Sequence, residues 1–402
     1  MRVRAAGKLA AANRATRAPF ALVLSEAHAI HRVRDRGYVE RPERVEALLE
    51  SVSGLGLFRR LPTRRFSDNH ILAVHDRDFV RYLKQVCQTV GKTESVYPYV
   101  FPARSGLAGA RRQDRLPRDL DARAGYYCID TFTPLDFGAY QAARAAVDVA
   151  LTAAEAVLDG RLVAYALCRP PGHHAERRVF GGFCYFNNAA IAAQFLSRHG
   201  SVAVLDIDYH HGNGTQDIFY ERSDVLTISI HGDPHIAYPH FSGFADEKGA
   251  GAGLGCNWNF PLPEHADEAL YLRTLEKAAR LIDRAAPAFL VVSLGLDTMA
   301  RDQAGAFALR SESLRRVGER LGRLRLPTLV VQEGGYHTRN LRRGGGAFFA
   351  GLAEGMAHTV AQNGQDLRRT CRGGSSDPPA DRPEGLSLQC SREAGLIKAA
   401  TR

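Results

Sequence analysis

Five short apolar runs break abruptly into polar, glycine-bearing clusters, and this recurrence limits the fold more than any bulk property. Val163–Leu167 leads into Arg169-Pro170-Pro171-Gly172-His173-His174, and Val202–Leu205 into Asp206-Ile207-Asp208-Tyr209-His210-His211-Gly212-Asn213. Val225–Ile230 is followed by His231-Gly232-Asp233, and Phe289–Leu294 by Gly295-Leu296-Asp297. Thr328–Val331 is followed by Gln332-Glu333-Gly334-Gly335-Tyr336. Helical apolar periodicity fills the intervals at 138–160, 187–199, 266–286, 311–324 and 340–357. Alternation of this kind predicts a single α/β domain with a mostly parallel sheet flanked by helices. In such sheets ligand crevices open at the carboxyl ends of the strands, so the five clusters are expected to meet at one site.

The chain has 402 residues, 45% of them apolar, enough to bury a large core. No apolar run is long enough to span a bilayer, so no membrane partner is expected. The net charge of +10 suggests a polyanionic partner until it is divided along the sequence. Residues 1–20 hold Arg2, Arg4, Lys8, Arg14 and Arg17 and no acid, and 359–402 hold an excess of two basic residues. The remaining 21–358 is therefore close to balanced, and no nucleic-acid partner is expected. Residues 1–20 read as a disordered or targeting-like extension and 359–402 as a disordered tail. The 7 cysteines are odd in number and never spaced as Cys-x-x-Cys, which fits a reducing, cytoplasmic setting.

Residues 91–137 depart from the alternation. They are rich in Arg, Asp, Pro and aromatics with no sustained period, and an insertion of this length is expected to act as a lid or an interface loop.

The polar clusters carry metal and acid–base chemistry. In an extended chain Asp206, Asp208 and His210 leave one face, and Asp297 arrives from another strand end. Two carboxylates and one imidazole with an open fourth position suit a catalytic Zn²⁺ or similar divalent ion. His173 and His174 titrate near neutrality and suit proton transfer beside such an ion. Tyr336, after two glycines, is placed to donate to a developing oxyanion.

Together, Arg169–His174, Phe180–Asn188, Asp206–Gln216, Ser293–Asp297 and Glu333–Tyr336 resemble the histone deacetylase superfamily over about 21–358. Tyr126-Tyr127-Cys128, Gly232-Asp233-Pro234 and Tyr238–Phe241, with the long insertion, are most similar to bacterial acetylpolyamine amidohydrolases. The resemblance implies an arginase/deacetylase-like fold, with one Zn²⁺ (or Fe²⁺) per chain held by Asp208, His210 and Asp297. It implies His174 as general base and acid, His173 as its hydrogen-bonding companion, Tyr336 as oxyanion donor, and Asp206 and Asn213 as partners of the two histidines. A structural K⁺ is implied around Asp206, Asp208, His210 and Ser229. Phe183 and Tyr238 match the aromatic pair of the acyl channel. The implied reaction is deacetylation of small cationic acetylated amines such as polyamines, with protein acetyl-lysine as the alternative substrate. The insertion is expected to narrow the channel and build a homodimer, and Asp119 and Asp121, with Glu94 as an outer candidate, to receive a distal ammonium. Because Asn213 stands where some members carry Asp, His174 is expected to be less basic.

Overall fold

A computed structural model describes residues 20–102 and 115–370. Eight strands form one sheet: β1 Phe20–Val23, β2 Phe58–Leu61, β3 Val163–Ala166, β4 Val202–Asp206, β5 Val225–Gly232, β6 Asn257–Leu262, β7 Phe289–Leu294 and β8 Thr328–Gln332. Their spatial order is β2-β1-β3-β8-β7-β4-β5-β6. Every neighbouring pair is parallel. The helices are α1 Glu43–Ser53, α2 Asn69–Leu72, α3 Arg77–Thr89, α4 Ala139–Leu158, α5 Asn188–Leu196, α6 Asn213–Phe219, α7 Glu268–Ala285, α8 Ser311–Gly322 and α9 Thr338–Thr370.

The five expected strands are β3, β4, β5, β7 and β8. Strands β3, β4, β7 and β8 are buried on both faces or nearly so, which is why they read as continuous apolar runs. Two apolar layers cover the sheet. One packs α3, α4 and α5 against it through residues such as Phe79, Val147, Ile191 and Val204. The other packs α1, α7, α8 and α9 through Leu48, Leu275, Leu314 and Phe348. Among the described residues no helix is long and apolar enough to cross a membrane.

Three boundaries differ from expectation. The domain starts one residue early, because Phe20 pairs in β1 with Phe58 and Val163; residues 1–19 lie outside the described part. At the other end α9 runs to Thr370 instead of giving way to a tail at 359, and the rest of the expected tail, 371–402, lies outside the described residues. Strand β4 stops at Asp206, so Asp208 and His210 sit on a bend beyond it, not on an extended strand. The bend is closed by Asp208 Oδ1 accepting the His210 N–H at 2.9 Å.

The described part of the insertion is tied to the core. Val96 and Leu135 form an antiparallel bridge, Cys128 pairs with Phe180, and Tyr127 stacks on Tyr82 with ring centroids 4.6 Å apart.

Candidate active site

The carboxyl ends of β3, β4, β5, β7 and β8 bring the polar clusters together as their order requires. After β4, Asp208 and His210 face Asp297, which follows β7. His210 Nδ1 lies 3.2 Å from Asp208 Oδ1 and 3.2 Å from Asp297 Oδ2. One ligand atom from each of these three side chains falls within 4.8 Å of the others. Asp208 and Asp297 are fully buried. Asp208 Oδ2 accepts the Gly334 N–H at 2.8 Å, and Asp297 Oδ1 accepts the Tyr209 N–H at 3.0 Å.

These groups fit a divalent cation. Asp297 Oδ2 is buried with no hydrogen bond beyond its 3.2 Å approach to His210 Nδ1, as an oxygen held for a metal would be. Without a cation, burial and the neighbouring Asp208 push the Asp297 carboxyl up to about 7. Burial would also raise Asp208, but His173 and His210 hold it well below the usual carboxylate range. The cradle admits no bulk: a Cβ on Gly334 would lie 2.3 Å from Asp297 Oδ2 and 2.6 Å from Asp208 Oδ2. Glycine in the Glu333–Tyr336 cluster is thus set by close approach.

The two histidines after β3 are shifted in opposite directions. Burial would lower His173, but Asp206 and Asp208 push it up to about 10; its Nδ1 is 2.9 Å from Asp206 Oδ2. Burial and the positive His173 and His210 hold His174 well below the ordinary histidine range. Its Nδ1 is 2.7 Å from Asn213 Oδ1. The Asn213 Nδ2 donates to Glu176 Oε1 at 2.8 Å and to the His174 carbonyl at 3.3 Å, which fixes Oδ1 as the acceptor. His174 therefore carries its proton on Nδ1 and leaves Nε2 as a base.

Tyr336 is buried, with its phenol held well above the usual range by burial against the opposing Arg44, and so remains a donor. The Arg44 guanidinium lies 4.8 Å over its ring, and the Phe183 ring is 5.6 Å away. Asp302 Oδ2 accepts the Tyr336 N–H at 2.8 Å. The Tyr238 ring stands perpendicular to the His174 ring, with centroids 4.8 Å apart. The expected aromatic pair is joined by Phe132, whose ring is 5.6 Å from Phe183 and 5.5 Å from Tyr238, and by Tyr38, 5.3 Å from Phe183.

A parallel sheet with these five clusters at its carboxyl edge matches one family model, described as the histone deacetylase domain, over residues 38–352. The chain belongs to the histone deacetylase family. The fold is that of the arginase/deacetylase class, and the protein is a hydrolytic deacetylase. It is 45% identical over 302 residues to acetylpolyamine amidohydrolase 2 of Pseudomonas aeruginosa, covering 74% of this chain and 86% of that one. It is 44% identical over 314 residues to acetylpolyamine amidohydrolase of Burkholderia pseudomallei, covering 78% of this chain and 91% of that one. Its structure superposes on the crystal structure of the Burkholderia pseudomallei acetylpolyamine aminohydrolase with a TM-score of 0.76 and 39% identity, over 84% of this chain and 99% of that one.

Asp119 and Asp121 are exposed; Asp119 Oδ1 accepts the Ala122 N–H at 2.9 Å within the insertion. Partial burial and the Asp119 and Glu94 carboxylates raise Asp121. Ser229 pairs in register with Asp206 and is 2.8 Å from His231 Nδ1. Among residues not expected, Arg44 donates to the carbonyls of Gly335 at 2.6 Å and Glu333 at 2.5 Å and to Glu40 at 2.8 Å. Its signal was a lone arginine on the buried face of α1 beside Val45 and Leu48. Glu333, read only as part of a glycine cluster, accepts the N–H groups of Gly172 at 2.6 Å and His173 at 3.1 Å.

Proposed function

We propose that this deacetylase removes acetyl groups from N-acetylated polyamines or similar small cationic amines and releases acetate. The observation that carries the reading is the pair of imidazoles beside the Asp208–His210–Asp297 cradle, His173 Nδ1 2.9 Å from Asp206 Oδ2 and His174 Nδ1 2.7 Å from the Asn213 amide oxygen, which leaves His174 Nε2 free. Asp208, His210 and Asp297 would hold a divalent ion, Zn²⁺ for this ligand set, which would supply Lewis-acid polarisation of the amide carbonyl. His174 Nε2 takes a proton from the attacking water as its oxygen bonds to the carbonyl carbon. The Tyr336 hydroxyl donates to the oxygen that becomes negative, and the charged His173, fixed by Asp206, stabilises the same centre. The C–N bond then breaks, His174 returns its proton to the leaving amine, and acetate departs.

The names of the relatives at 44–45% identity support the polyamine class. The cationic end of the amine is assigned to Asp119 and Asp121, whose crowding with Glu94 favours a neutralising charge. A K⁺ bound around Asp206, Asp208, His210 and Ser229 would brace the strand ends; the pairing of Asp206 with Ser229 supports this. Exposed aromatics of the insertion, Tyr99 and Phe101, support burial against a second copy in a homodimer. Buried thiols at Cys87, Cys168 and Cys184, none of them in a disulfide, support a reducing, cytoplasmic setting.

Acetate release from acetylputrescine and acetylspermidine, measured beside an acetyl-lysine peptide, tests the reading. The amines are expected to give the higher kcat/KM; a faster peptide would transfer the assignment to protein deacetylation.

A further inference from the structure

We infer that Asp130 is a positioning residue that sets the bore of the acyl channel, holding the Gly182–Phe183 turn and Tyr238 in place from within the insertion. The inference rests on the reading of the cleft as an amide-hydrolysing site. Asp130 is 7% exposed, and six donors converge on its carboxylate, the most distant being the Cys128 thiol, 3.9 Å from Oδ1. Oδ2 accepts the Gly182 N–H at 2.7 Å, the Thr133 hydroxyl at 2.9 Å and the Tyr238 hydroxyl at 3.0 Å. Oδ1 accepts the N–H groups of Phe132 at 3.0 Å and Thr133 at 2.8 Å. Thr133 Oγ1 in turn accepts the Phe183 N–H at 3.0 Å.

What this network holds would not hold itself. Gly182 and Phe183 both lie in the left-handed region, at φ +54° and +66°. For phenylalanine that conformation costs free energy and persists only where neighbours fix it. Gly182 also has no room for a side chain, since a Cβ would lie 2.1 Å from His174 Cδ2. The turn therefore sets the distance between Phe183 and the catalytic histidine. Tyr238, on the opposite wall, stands perpendicular to His174 only while its hydroxyl has the Asp130 acceptor. Phe132, next but one to Asp130, bridges both walls. Asp130 touches none of the reacting atoms, yet it fixes all three rings around them.

Because all six groups donate, the position calls for an acceptor-only group. An asparagine of the same shape would turn an N–H₂ toward donors on one side or the other. This separates positioning by charge from simple filling of space.

The test compares Asp130→Asn and Asp130→Ala with the wild-type chain on an N-acetyl and an N-butyryl diamine. Both variants are expected to raise KM for the acetyl substrate by about tenfold, the usual scale for losing a partner that orients a site, with a smaller fall in kcat. Both should also lose discrimination between the two acyl lengths. Rescue by asparagine, or an equal loss on both substrates with KM unchanged, would overturn the inference. Amide hydrogen exchange provides a readout without substrate. Protection at Gly182 and Phe183 is expected to fall by about tenfold in both variants while β4 and β7 stay protected, and unchanged protection at the turn would overturn it. A wild-type chain inactive on both amines would refute the proposed function, whereas the exchange experiment would still decide the role of Asp130.

Discussion

Asn213 separates two electrostatic designs for the base, and replacing it with aspartate shows which one this site uses. In the native site His174 Nδ1 donates to the amide oxygen at 2.7 Å, and the amide nitrogen donates to Glu176 at 2.8 Å. Asn213→Asp puts a carboxylate against both. Charges about 4 Å apart interact by about 4 kcal/mol at an effective dielectric near 20, or about 3 pKa units on His174. The new acid also meets the Glu176 carboxylate at similar range, so the two acids share a proton over part of the titration. The net rise at His174 is then about one unit. Since His174 acts as a neutral base, a higher pKa means that activity is lost sooner as pH falls. The acid limb of kcat/KM for acetate release should therefore move up by about one unit in Asn213→Asp. It should move further in Asn213→Asp/Glu176→Gln, where the repulsion is gone. An acid limb unmoved in both variants would refute the assignment of His174 as the base.

Two other substitutions probe separate parts of the account. Tyr336→Phe keeps the ring against Arg44 and Phe183 but removes the donor, and kcat should fall by about 10²–10³-fold with little change in KM. Steady-state kinetics check this, and a loss confined to KM would contradict it. His75 concerns stability. It is buried, its Nδ1 is 2.9 Å from the Glu176 carbonyl, and its Nε2 accepts the Asn187 N–H at 2.9 Å. Burial brings its pKa down from 6.5 to about 4. The unfolded chain therefore binds the proton first, and stability is lost as pH falls from about 6.5 to 4, by up to about 3 kcal/mol. His75→Gln should flatten that part of the stability–pH curve measured by denaturant unfolding, and an unchanged slope would count against the buried neutral ring.

The parts of this structure legible in the sequence are those where local pattern and global role agree. Strands β3, β4, β5, β7 and β8 lie inside the sheet, and burial makes each a short apolar block. The strands toward the edges gave no such signal. Strand β2, Phe-Arg-Arg-Leu, exposes its two arginines at one edge, and β6 carries Asn257, Asn259 and Pro261 at the other. Strand β1 is central enough to be fully buried, but it has only four residues and follows a basic stretch of sequence. The metal cradle was legible because its ligands sit directly after strands. Arg44, Asp130 and Asp302 were not, because each reaches the site from a distant segment and acts on backbone or phenol groups. Glu176 was missed for a similar reason: its role depends on the orientation of the Asn213 amide, which spacing does not encode.

Deacetylation is proposed to require a single divalent ion held by Asp208, His210 and Asp297. Protein stripped of metal and titrated with Zn²⁺ tests this requirement most directly, with acetate release from acetylspermidine as the readout. Activity is expected to be absent at the start, to return in proportion to added Zn²⁺ and to level off at one equivalent per chain, with no recovery in Asp297→Ala. Full turnover by the stripped protein, or a plateau reached only at two equivalents, would contradict it.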